Sequence, residues 1–187
     1  MNRLLHLAIP ALLAISAGCS DPIDRILDER HANAEQGDAE AQYQLGTSYH
    51  AGEFMPKDVA LAMKWYRRAA DQGHVEAMYT LGWMHDFGED VEKNSAQAMK
   101  WYLRAAAHGH AEAQETVCRE YAYGSLAPND YVEAYVWHSV VVANGRGDDA
   151  LRDLITSITA SLTPQELSQA QQRAAELIEK IDSVTEE

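Results

Sequence analysis

Glycines at positions 37, 73, 109 and 145 stand 36 residues apart, and the three intervals between them align without a gap. Other slots recur in register: Ala41, Ala77 and Ala113; Leu45, Leu81 and Val117; Gly52, Gly88 and Gly124. Asp58, Asn94 and Asp130 follow, then Ala62, Ala98 and Ala134, then Trp65, Trp101 and Trp137. A period of this length marks one supersecondary unit that buries its apolar face only by stacking on its neighbours. The repeat therefore decides the architecture before any single residue does.

Each unit reads as two helices. In the first, Ala41, Leu45 and Tyr49 share a face at helical spacing, which predicts a helix over about 39–51. Gly52 ends it, as glycine does where the chain must turn left-handed. Asp58 supplies an N-cap oxygen for the second helix, and Asn94 and Asp130 repeat that cap. Ala62, Trp65 and Ala69 share a face of that helix before Gly73 closes it. Small and aromatic slots alternate, so large side chains of one helix can sit over small ones of the next. The three in-register tryptophans are expected as core fillers.

Read as motifs, unit one carries Ala41, Leu45, Gly46, Tyr49 and Gly52, then Asp58, Ala62, Trp65, Tyr66, Ala69, Ala70 and Gly73. This pattern resembles the Sel1-like repeat, a relative of the tetratricopeptide repeat. Unit two keeps nearly all of it, with His85 at the Tyr49 slot. Unit three drifts: Cys118 takes the Gly46 slot, and His138, Val141 and Val142 replace Tyr66, Ala69 and Ala70. The resemblance implies an all-α, right-handed α-solenoid of antiparallel helix-pair repeats with terminal capping helices. Repeats are expected at 37–72, 73–108 and 109–144, after a capping helix in 19–36 and before capping helices in 145–187.

The ends fit that scheme. Asp21 and Pro22 begin a helix with Ile23, Ile26 and Leu27 on one side, running to Gly37. Leu151, Leu154, Ile155 and Ile158 trace another amphipathic helix. Thr163, Pro164 and Glu166 make a capping-box start, with Leu162 and Leu167 placed as a hydrophobic staple. Leu167, Ala170, Ala174, Leu177, Ile178 and Ile181 give the last helix its apolar stripe.

Residues 1–18 combine a basic start at Arg3, an apolar run from Leu4 to Ile15, and small residues before Cys19. The run is too short to span a bilayer and suits a signal-peptide core. Ser16, Ala17 and Gly18 before Cys19 resemble a bacterial lipobox, with Ser16 in the place usual for leucine. That resemblance makes 1–18 a leader, Cys19 the lipidated first mature residue, and the chain a lipid-anchored, periplasm-facing envelope protein. Ser20 rather than aspartate after the cysteine implies the outer membrane. A formal charge of −14 argues against nucleic acid and against an electrostatic grip on anionic lipid, so membrane contact falls to the lipid alone.

No catalytic constellation emerges. There is no GxSxG elbow, no phosphate-cradling glycine loop, and no HExxH or CxxC metal spacing, so neither enzyme activity nor a cofactor is expected. His74 and His110 occupy one slot a whole repeat apart, where Asp38 stands in unit one, and read as exposed loop histidines. Cys118 sits in a tight packing slot and reads as a small, buried, inert thiol.

Recognition is expected where the repeat varies. By resemblance to tetratricopeptide proteins, first helices line the concave surface. The inward slots are then Tyr43, Thr47 and His50 in unit one, Tyr79, Trp83 and Asp86 in unit two, and Glu115, Arg119 and Ala122 in unit three. Tyr43, Tyr79, Trp83 and Arg119 form the expected contact patch, since Trp, Tyr and Arg dominate many interfaces. The function implied is a non-catalytic scaffold or adaptor that binds a protein or peptide of the envelope in its groove. A groove that holds a small ligand, a peptidoglycan fragment or a metal is the alternative.

Overall fold

The computed structural model describes residues 22–185 other than Glu89 and Ala127. The leader and Cys19 lie outside the described residues. Among those described there are helices and no strand: α1 (Pro22–Glu35), α2 (Ala39–Ala51), α3 (Val59–Asp71), α4 (Val75–Phe87), α5 (Ser95–Ala107), α6 (Ala111–Tyr123), α7 (Tyr131–Ala143), α8 (Asp149–Ser161) and α9 (Pro164–Thr185). Helices α2 to α7 pair as α2–α3, α4–α5 and α6–α7, and each pair stacks on the next. The result is the all-α solenoid that the period predicts.

Local chemistry sets the helix ends. Gly52, Gly88 and Gly124 turn left-handed with φ of 73°, 69° and 72°. Asp58 and Asn94 then accept the amides of Leu61 and Gln97, and Asp130 accepts those of Val132 and Glu133. One backbone bond closes every loop the same way: the amides of Asp58, Asn94 and Asp130 donate to the carbonyls of Tyr49, His85 and Tyr121 at 2.8–2.9 Å. Identical loops give identical angles between helices, so the repeats stack in register.

The two helices of a repeat touch where a side chain is missing. A Cβ at Gly46 would lie 2.7 Å from the ring of Tyr66, and one at Gly82 would lie 2.6 Å from Tyr102. In the third repeat Cys118 fills this slot and the ring is the smaller His138. The Cys118 thiol donates to the Ala134 carbonyl at 3.4 Å and is fully buried, and burial pushes its pKa up to about 12.

The tryptophan slot differs between repeats. Trp65 and Trp137 are buried, but Trp101 is only half-buried, against expectation. Leu61 and Met55 close over the cluster that holds Trp65, whereas exposed Gln97 stands at the Leu61 slot of repeat two. Arg104 partly shields Trp101, its guanidinium 5.2 Å from the ring centre.

Both ends depart from simple stacking. α1 buries Ala34 against α2, while Ile23 and Ile26 remain 41% and 55% exposed, so the expected apolar side of α1 is not covered by the described residues. At the other end, Asp148 caps α8 and Thr163 with Glu166 forms the capping box of α9. α9 packs on α7 and runs back to the α5–α6 turn, where Thr185 Cγ2 lies 2.7 Å from the point at which a Gly109 side chain would begin. Ala170, Ala174 and Ile181 are its buried contacts, and Arg173 pairs with Glu133.

Candidate interaction surface

The helical period fixes which residues of the first helices meet solvent. Glu40, Gln44, Thr47 and Ala51 lie on one line of α2 and all are exposed. The same line reads Glu76, Thr80, Trp83 and Phe87 in α4, and Glu112, Thr116, Arg119 and Tyr123 in α6. Its outer members are exposed and its middle ones half-buried. Of the residues expected to face a partner, Thr47, Trp83 and Arg119 fall on this line. A recess of about 230 Å³ lined by Arg30, Tyr43, Gln44, Thr47, Ser48 and Glu53 opens at its first-repeat end.

The other expected contact residues are engaged within the solenoid. Tyr43 stacks on His74 with ring centres 4.7 Å apart, and Tyr79 stacks on His110 at 4.4 Å. Glu115, in the same slot, accepts from Arg146 Nε at 3.0 Å. His50 sets its edge against Tyr66, Asp86 accepts the Tyr102 hydroxyl over a long 3.4 Å, and Ala122 is buried. Burial raises the pKa of the Tyr66 and Tyr102 phenols, as befits rings that hold helices together.

His74 and His110 are not exposed loop residues. The side chain of His74 is 12% exposed and that of His110 is 6% exposed. Each caps its own helix, with Nδ1 accepting the amide of Ala77 or Ala113 at 3.2 Å. That leaves the proton on Nε2, which faces a glutamate of the preceding repeat: Glu40 at 3.0 Å and Glu76 at 3.3 Å. Arg146 takes the place in the next turn of the pattern and binds Glu112 at 3.2 Å. A ladder of cap residue to glutamate thus ties each repeat to the one before it. The His74 bond holds the Glu40 carboxyl below its usual pKa.

Two residues of the open line escape sequence reasoning. Phe87 and Tyr123 share the last slot of their helices and are 65% and 66% exposed. Phe87 packs against Trp83 with ring centres 5.2 Å apart. The signal was present: the slot reads Ala51, Phe87, Tyr123, and varies as the Trp83 slot does.

The Sel1 repeat family model matches residues 39–74, 75–110 and 111–139, more than half of the chain. The chain belongs to the Sel1 repeat family. Sel1 repeat proteins generally mediate protein–protein interaction, on a scaffold that is generally non-catalytic. The crystal structure of a Sel1 repeat protein from Oxalobacter formigenes is similar at 32% identity and a TM-score of 0.62, over 71% of this chain and 98% of that one. A protective antigen present in uropathogenic Escherichia coli strains, which displays an SLR fold, is similar at 26% identity and a TM-score of 0.51. That match covers 90% of this chain, which spans 44% of the longer antigen. No curated protein sequence matches the chain. The family match begins at Ala39 and Val75, each directly after a capping residue, so the Sel1 unit here is one helix pair plus the cap of the next.

Proposed function

We propose that this Sel1 repeat protein is a non-catalytic adaptor of the bacterial envelope, anchored through Cys19, that binds a protein or peptide segment along the open line of its first helices. The observation that carries the reading is the contrast between slots. Those that join helices repeat from unit to unit, whereas the exposed Thr47, Trp83, Arg119 slot and the Ala51, Phe87, Tyr123 slot change. Packing constrains the former, and nothing in the solenoid requires the latter to be aromatic. Aromatic residues and arginine on an exposed surface suit a protein interface. Support for the anchor is the lipobox-like run from Ser16 to Cys19.

Crosslinking in intact envelopes followed by mass spectrometry tests the adaptor role. One or a few proteins should be recovered with the wild type and lost with Trp83→Ala, while circular dichroism shows that the variant keeps its fold. Recovery of no specific protein overturns the reading. Fatty-acid labelling that is lost in Cys19→Ser tests the anchor independently.

A further inference from the structure

The open line ends on an aromatic edge, and its charge indicates what binds there. Phe87 and Tyr123 close α4 and α6, and Trp83 backs Phe87. Phe54, on the α2–α3 loop, is 68% exposed. An ion pair between Lys57 and Asp90 joins that loop to the one following Phe87, so the aromatics of the first two repeats lie on adjoining loops. Exposed rings at successive loops of one edge make an apolar strip that the solenoid does not need for its own packing.

The strip is bordered by negative charge. Its cations are already held: Lys57 by Asp90, Lys93 by Asp86 at 3.8 Å, and Arg119 by Asp148 at 3.2 Å. The exposed carboxylates of Glu53 and Glu92 add to the same edge, and the whole chain carries −14. An acidic partner would meet like charge, whereas a basic one gains from every carboxylate and is steered toward the edge.

From these we infer that the edge formed by Phe54, Phe87 and Tyr123 docks a basic segment of a partner protein, with apolar side chains of that segment seated on the rings and its lysines or arginines on the surrounding carboxylates. The inference rests on the adaptor reading and adds to it where contact is made and the partner's chemistry.

The test uses the full chain and a fluorescein-labelled peptide in which two tryptophans are flanked by lysines. A counterpart with glutamate for lysine and phosphatidylcholine vesicles serve as competing ligands. The lysine peptide should bind, more weakly as salt rises, and Phe87→Ala with Tyr123→Ala should weaken it about tenfold. Both residues are exposed, so circular dichroism and melting temperature should not change. Equal binding of the glutamate peptide, undiminished binding by the double variant, or preference for the vesicles overturns the inference. In the crosslinking experiment, a partner recovered equally by wild type and double variant overturns this inference and leaves the adaptor reading standing. Recovery of no partner by either form overturns both.

Discussion

Adding one methyl group at Gly82 should unfold this protein more easily, although the same change in an open helix is stabilising. Alanine gains about 1 kcal/mol over glycine from helix propensity. Here the new Cβ would stand 2.6 Å from Tyr102 Cδ1, 2.7 Å from Cε1 and 3.2 Å from Cγ. Ordinary carbon contacts begin about 1 Å farther out. Tyr102 cannot easily yield: its ring is buried, Tyr79 lies against it at 5.5 Å between centres, and its hydroxyl reaches Asp86. Contact near the root of the ring also means that the backbone of α5 must move. Overpacking of this kind costs about 3 kcal/mol at the upper end of its range. The net loss is then about 2 kcal/mol, or a fall in melting temperature of about 4–8 °C. Urea titration and thermal melts followed by circular dichroism read both values. A Gly82→Ala variant as stable as wild type, or more so, refutes the reasoning.

The third repeat supplies a control for that prediction. Cys118 stands at the same slot and is tolerated because His138 replaces the tyrosine. Combining Gly82→Ala with Tyr102→His should therefore cost less than the sum of the two single changes. Residues in contact couple in this way, and strict additivity would place the clash elsewhere.

His110→Ala removes a cap, a stacked ring and the link to Glu76, and should cost about 1–2 kcal/mol in urea titration. His110→Asn restores the acceptor and should recover part of that loss; equal stability of the two variants would argue against the capping role. Cys118 should resist a thiol reagent in the folded protein and react on unfolding, since burial holds the thiol in its protonated form; rapid labelling of native protein refutes this. Acid should destabilise in two stages. Burial lowers His85 and His138 below the ordinary 6.5, so the unfolded chain takes up protons first and stability falls as pH drops through and below that value. Glu40, Glu112, Asp148 and Glu166 are also lowered, by hydrogen bonds first, so their stabilisation is present above ordinary carboxylate values and lost as pH falls through their folded values. Unfolding midpoints measured from pH 8 to pH 3 should decline throughout, and a flat profile contradicts the assignment.

The helix ends were legible because their causes are local. A left-handed glycine and a capping Asp or Asn act within a few residues of themselves, so the first helix falls at Ala39–Ala51 as its spacing predicts. The rotation of that helix was not legible by the same means. Tyr43 and Tyr79 are aromatic and lie beside the variable slots, but their outer faces are covered by His74 and His110, each 31 residues further along the chain. No window of helical length contains both partners. The pairing nonetheless left a trace in the repeats. Where the third unit replaces tyrosine by Glu115, the following cap slot replaces histidine by Arg146, and the two bond at 3.0 Å. Ring meets ring twice, then acid meets base, which is the substitution expected of slots in contact. Slots that change together across repeats belong to the interior seam between units. Slots that change with no answering change, such as Ala51, Phe87 and Tyr123, are the ones left free for a partner.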